Sequence, residues 1–169
     1  ILGVWESENA ASDFFEKNKT INRYKSKAIA ISMIKMHSIK SHGLWSGQNP
    51  FPEQKPNETS KKMPVAIITR ATLRFSKLIS FWKSVPAASK AIEGAKGVKY
   101  FKGIGEWPFI QQATLSLWDS FDSVKKFAYS NKIHSNIIKK TRKQRWYSED
   151  LFARFQVLSD TGFINTRKD

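Results

Sequence analysis

VKYFKGIGEWPFIQQATLSLWDS, from Val98 to Ser120, sets two apolar runs on either side of a turn built from Gly103, Ile104, Gly105, Glu106, Trp107 and Pro108, which spells a β-hairpin. Strand side chains alternate, so in the second arm Ile110, Gln112, Thr114, Ser116 and Trp118 share one face, and Gln111, Ala113, Leu115 and Leu117 the other. The second face is apolar. The first mixes amides, hydroxyls and one indole, which suits the inside of a ligand-holding barrel and equally a solvated outer face.

Upstream of the hairpin, Leu78 to Gly94 reads as an amphipathic helix with Leu78, Phe81, Trp82, Val85, Ala88, Ser89 and Ile92 on one stripe. Gly94 and Gly97 close it, and Pro86 predicts a kink or a new helical start. Val65 to Phe75 reads as a strand that sets Arg70 and Arg74 on one face, either as solubilising cations or as an anion site for carboxylates. Ser38 to Pro64, rich in Gly, Pro and Asn, reads as a long loop, a connector or a lid, with Trp45 and Phe51 as an apolar underside. Lys27 to His37 reads as a strand buried on much of both sides, Glu6 to Lys17 as a helix capped by Ser7, and Ile1 to Trp5 as the end of a strand whose upstream neighbours are missing. Downstream, helices are predicted over Phe121 to Tyr129 and Asn131 to Arg145, then a strand over Leu151 to Ser159 and a polar tail.

The chain repeats itself. Val4, Trp5, Glu6 and Ser7, with Phe14 nine residues past the Trp, match Leu117, Trp118, Asp119 and Ser120 with Phe127. Both copies run strand, acidic-Ser turn, short helix, basic segment, strand. The order predicts an α+β fold of two ferredoxin-like βαββαβ repeats, the first incomplete, whose sheets meet as in a dimeric α+β barrel. The divisions are a partial first repeat over 1–40, a connector over 41–64, a second repeat over 65–160 and a tail over 161–169. In this register His134 falls opposite Ile21. A helix imidazole with Ile137, Ile138 and Thr141 near it and basic residues around it suits an axial haem ligand flanked by propionate partners, or an exposed surface His.

The totals narrow the chemistry. With no Cys there are no disulfides, thiolate nucleophiles or Fe–S ligands, and any iron would rest on His, carboxylate, Tyr or Met. The 29 Lys and Arg against 14 Asp and Glu, a net +15, attract polyanions, anionic membranes or acidic proteins. Nucleic acid is not the expected partner, because no helix-turn-helix, zinc-finger or RNA-binding signature appears. No GxSxG, phosphate loop or paired His spacing is present either, and His37 and His42 read as solvent-facing or loop residues. No apolar run is long enough to span a bilayer and no secretory start appears, so the expectation is a cytoplasmic chain, with peripheral membrane contact as its only membrane association.

TRATLR (Thr69 to Arg74), FWKSVPAASKAIEG (Phe81 to Gly94), FKGIGEWPFIQQATLSLW (Phe101 to Trp118), FAY (Phe127 to Tyr129) and RWYSEDLFARF (Arg145 to Phe155) together resemble the spheroidene monooxygenase family of carotenoid-modifying enzymes, as does GLWSGQNPF (Gly43 to Phe51). The resemblance implies a haem-containing oxygenase on a dimeric α+β barrel, forming a keto group at an acyclic carotenoid end with electrons from a ferredoxin. On that reading His134 is the axial ligand, and Arg74 and Arg142 are propionate partners. Arg70 and Gln112 are catalytic, and Trp82, Trp107, Thr114 and Trp118 line the substrate pocket. An acidic ferredoxin and a second copy of the chain are the expected protein partners. The competing reading is a non-catalytic binder of haem or another apolar ligand on the same barrel.

Overall fold

Ser7 starts the first helix, its Oγ accepting the N–H of Ala10 at 3.1 Å, and α1 runs Glu8–Lys17. Asn18 ends α1 and begins α2 (Lys19–Lys27), its Oδ1 accepting the N–H groups of Thr20 and Ile21 at 2.9 and 3.2 Å. In this computed structural model the described residues are 1–55, 63–107, 109–130 and 132–161, without the side chains of 106, 130, 132–135, 138 and 142. The order continues with β1 (Ile34–Gly43), β2 (Val65–Leu73), a 3₁₀ turn (Phe75–Lys77), α3 (Leu78–Trp82) and α4 (Val85–Glu93). It ends with β3 (Val98–Trp107), β4 (Gln111–Trp118), α5 (Phe121–Ser130), α6 (Lys132–Gln144) and β5 (Tyr147–Asp160).

The expected hairpin is β3 and β4, and it forms one side of a five-stranded sheet in the order β1-β5-β2-β4-β3 with every neighbouring pair antiparallel. The fold is α+β. Central β2, with a partner on each side, is buried at seven of its nine positions. On one face Val65, Ile67 and Trp118 pack with Val124 of α5, and with Ile92, Phe121 and Phe127 from the helices. On the opposite face Ala66, Ile68, Leu117, Leu151, Ala153, Phe155 and Val157 enclose Phe51, which reaches back from the segment after β1. Each fully buried large apolar side chain here contributes roughly 1.5–3 kcal/mol.

Several expectations change. The face of Gln112, Thr114, Ser116 and Trp118 is neither a barrel interior nor a solvated exterior; it lies under the helices, with Trp118 Nε1 donating to Ser116 Oγ at 2.9 Å. Residues 27–33 are not strand: β1 starts at Ile34 and runs on to Gly43, inside the stretch expected to be loop. An edge strand has one partner, so β1 keeps polar residues and buries only Ser38, a pattern that hides from a search for buried runs. Ile1 to Trp5 joins no strand, and Trp5 instead meets Phe14 with ring centroids 4.5 Å apart. The equivalent Trp118 and Phe127 meet at 5.3 Å. Pro86 marks a new helical start, near the beginning of α4. Among the described residues there is one sheet rather than two: β1 cannot pair alone, and it takes the free edge of β5.

Candidate functional site

Two clefts flank this sheet. The first lies where β2 leaves the sheet and α6 runs into β5. Arg74 donates its backbone N–H to the Trp146 carbonyl at 2.8 Å and its Nε to the Tyr147 carbonyl at 3.1 Å, tying the two segments together. Trp146 is buried, and its Nε1 donates to Gln144 Oε1 at 2.8 Å, which also accepts Ser80 Oγ–H at 2.7 Å. The resulting cleft holds about 680 Å³ and is lined, among the described residues, by Arg74, Ser76, Lys77, Ser80, Lys143, Gln144 and Arg145: four cations and no carboxylate, a composition that suits an anion.

The second cleft, about 350 Å³, opens on the other side of the molecule between the N-terminal segment and the loop after β1, lined by Leu2, Val4, Trp45, Ser46, Gln48, Pro50 and Phe51. It is mostly apolar. Phe51 anchors the loop edge-on to Phe155 at 5.0 Å and to Trp45 at 6.1 Å. Ser46 and Gly47, at φ of 54° and 82°, aim two successive N–H groups at the Glu149 carboxylate, at 2.9 and 2.8 Å. Arg70 Nη1 donates to the same carboxylate, and its guanidinium stands 5.6 Å from the Trp45 ring. The Gly47 N–H chiefly, then the Ser46 N–H and Arg70, hold the Glu149 carboxyl below its ordinary value against the opposing effect of desolvation.

Arg70 is buried and serves this latch, while Arg74 lines the basic cleft. A bulge between Thr72 and Leu73 separates the two arginines that a regular strand would align. Gln112 and Thr114 sit half-buried on the helix-covered face, opposite Arg70, so Arg70 and Gln112 do not converge. Trp118 is core on that same face. Trp82 donates Nε1 to the Phe109 carbonyl at 3.1 Å, and Trp107, 60% exposed, ends β3 beside it in the hairpin turn. His134 and Arg142 lie in α6, and their side chains are outside the described ones.

Glu149 and the Ser46–Gly47 turn escaped the sequence reading; the Trp-Ser-Gly triplet was the available signal, since a turn needing positive φ favours Gly. His37, expected to face solvent or a loop, lies instead within β1. Among the described residues its Nε2 is enclosed without a hydrogen-bond partner, whereas the His42 ring stacks on Phe152 at 5.2 Å. For a haem, the described residues fit the carboxylate periphery and not the iron: the cations of the first cleft suit propionates, but no imidazole, phenol or thioether lines either cleft. Among the described residues no group of three His, Asp or Glu side chains could hold a metal ion.

No protein-family model matches the chain. The chain is similar to spheroidene monooxygenase of Cereibacter sphaeroides, 36% identical over 163 residues, covering 96% of this chain and 50% of that protein. The proteins of the same name from Rhodobacter capsulatus (29%, covering 96% of this chain and 67% of that one) and Rubrivivax gelatinosus (31%, 98% and 62%) are similar too. The chain thus spans about half to two-thirds of the length of the curated relatives it matches. In solved structures, a candidate monooxygenase of Fusobacterium nucleatum superposes with a TM-score of 0.54 at 15% identity, covering 92% of this chain and 67% of that one. A candidate antibiotic biosynthesis monooxygenase of Caulobacter crescentus gives 0.50 at 11%, covering 60% and 95%. At these identities they establish the ferredoxin-like α+β fold and nothing of the chemistry.

Proposed function

We propose that this chain is part of a monooxygenase that oxygenates an acyclic carotenoid or a similar apolar substrate, carrying a hydroxyl-bearing carbon to a keto group. The observation that carries this reading is the likeness, over nearly the whole chain, to proteins named spheroidene monooxygenase. The mostly apolar cleft at Trp45 and Phe51 suits an apolar ligand and supports that part of the reading alone, since it opens on the other side of the molecule from the basic cleft of Arg74. Arg70 acts as a positioning residue: through Glu149 it fixes the loop that carries Trp45. Gln112, Thr114 and Trp118, on the helix-covered face, have no part at that cleft.

Haem, when bound, would supply the activation of oxygen. In this proposal His134 would ligate its iron, and Arg74 and Arg142 would meet its propionates. The remaining work of the chain is to bind the polyene, exclude water and accept electrons from an acidic ferredoxin at a basic surface. A second sheet, from a second copy or from residues beyond this chain, would close the barrel.

The test is an absorption spectrum of the purified chain after haem supply, with His134→Ala beside it, followed by an assay of oxygen consumption with reductant and an acyclic carotenoid. A Soret band that His134→Ala alters, together with a keto product, is expected. An unchanged band in the variant removes the His134 assignment. Ligand binding without oxygen consumption makes the chain a carrier instead.

A further inference from the structure

The end of the sheet where β3 turns into β4 carries an apolar patch that the reaction proposed above does not use. Phe75, Ile79, Trp107 and Phe109 are 72, 75, 60 and 65% exposed. They belong to one place in the fold: Leu73 donates its N–H to the Ile110 carbonyl at 2.8 Å, and the Trp82 ring meets the Phe109 ring at 5.8 Å. Phe75 and Ile79 sit in the turn and short helix between those two links. Phe109 holds φ at 68°, a left-handed conformation that aromatic residues rarely adopt, with its ring left largely in solvent.

The basic cleft shares this end of the sheet. Arg74 immediately precedes Phe75, Lys77 lies between Phe75 and Ile79, and Arg74 is bonded to the segment that carries Lys143 and Arg145. Four large apolar side chains left in water beside four cations mark an interaction surface, because a free soluble surface rarely groups them so. Aromatic rings favour the headgroup level of a bilayer, and Lys and Arg are drawn to anionic headgroups. An acidic protein would satisfy the cations and leave a protruding hairpin tip of Trp107 and Phe109 in water. A bilayer satisfies both. Among the described residues no helix is long and apolar enough to cross a membrane, so attachment through this surface would be interfacial.

We propose that this end of the sheet docks the protein on an anionic lipid bilayer, with Phe75, Ile79, Trp107 and Phe109 at headgroup depth and the cleft of Arg74, Lys77, Lys143 and Arg145 gathering lipid phosphates. The inference shares Arg74 with the haem reading and competes with it for the basic cleft, but it needs neither the apolar cleft nor iron, so vesicle binding and a Soret band succeed or fail separately.

The experiment is co-sedimentation of the whole chain with vesicles of phosphatidylcholine alone and of an equal mixture with phosphatidylglycerol. Three double variants are run beside it: Phe75→Ser with Phe109→Ser, Lys143→Gln with Arg145→Gln, and, as a charge-matched control on α2, Lys19→Gln with Arg23→Gln. Binding to the anionic vesicles is expected, weak binding to the neutral ones, and a loss of about tenfold or more in each of the first two variants with little change in the control. Equal losses in the control would mean adsorption by net charge alone and overturn the proposal. A circular dichroism spectrum checks each fold; if the double serine variant unfolds, the Lys143 and Arg145 pair against the control decides. Inorganic phosphate, titrated separately, distinguishes a free-anion site: phosphate binding without vesicle binding overturns the bilayer assignment. A dimer in gel filtration that the serine pair dissociates, or vesicle binding lost in neither variant, overturns it as well.

Discussion

Glu149 accepts from three donors at once, the N–H groups of Ser46 and Gly47 and the guanidinium of Arg70, and the two partners of the ion pair are not equivalent. The Arg70 side chain is fully enclosed while Glu149 keeps about a fifth of its side-chain surface in water. Removing the carboxylate therefore takes one partner from a buried cation and leaves two backbone donors unsatisfied; removing the cation leaves a carboxylate with two hydrogen bonds and access to solvent. Glu149→Ala is expected to cost about 3 kcal/mol and Arg70→Met only about 1–2 kcal/mol, measured by urea unfolding. Equal costs would show that the two partners of this ion pair are equivalent after all. The carboxyl also predicts a pH dependence. Its folded value lies below the ordinary 4.5, so its contribution is complete above that value and is lost as pH falls through the folded one. The fall in the unfolding midpoint between pH 6 and pH 3 should be smaller in Glu149→Gln than in the parent chain, and an identical fall would remove the latch from the acid response. From sequence the site was half visible: the strand pattern of TRATLR placed Arg70 on a defined face, but nothing in RWYSED distinguished Glu149 from Asp150, because the loop it grips is about a hundred residues away in the chain.

Strands were legible where both faces or one whole face are buried, and illegible where they sit at an edge. β2 and β4 spelled their alternation because the helices cover one face and Phe51 and its neighbours pack on the other. β1 pairs only with β5 and reads like a loop, and its end is decided by Gly43. That glycine has φ of 86°, and a Cβ there would stand 2.1 Å from the Asp150 carbonyl oxygen, a backbone atom of the paired strand that has nowhere to go. Gly43→Ala is expected to cost about 2 kcal/mol or more and to weaken the Leu44 N–H bond to that same carbonyl, now 2.9 Å. Gly103, in mid-strand on β3, has nothing within 4 Å of its Cβ position, so Gly103→Ala should change stability by less than about 0.5 kcal/mol, in either direction. Thermal unfolding of the two alanine variants side by side checks the contrast, and comparable losses would mean that the β1–β5 edge tolerates a shift at Gly43. The same local logic explains Pro86. A proline lacks a donor, so the apolar stripe from Leu78 to Ile92 continues across a break that periodicity alone does not show.

At the scale of the molecule, a net charge of +15 is carried by a chain whose core is conventional, so the charge belongs to its encounters and not to its fold. The basic cleft, with no carboxylate in its wall among the described residues, concentrates part of that charge at one end of the sheet. If electrons arrive from a soluble acidic ferredoxin, the encounter is steered by this field, and the steering must fade as salt shortens its reach from about 10 Å at 0.1 M to about 3 Å at 1 M. Reduction of the haem-loaded chain by such a donor, followed in a stopped-flow instrument without vesicles, is expected to slow about tenfold or more over that range. Charge reversal on the donor should produce the same slowing at low salt. The sign of the effect separates docking from later events, since an electron transfer limited by rearrangement after contact would respond weakly to salt. A rate that holds steady from low to high salt would remove the acidic donor from the proposal and leave the positive surface to the bilayer alone.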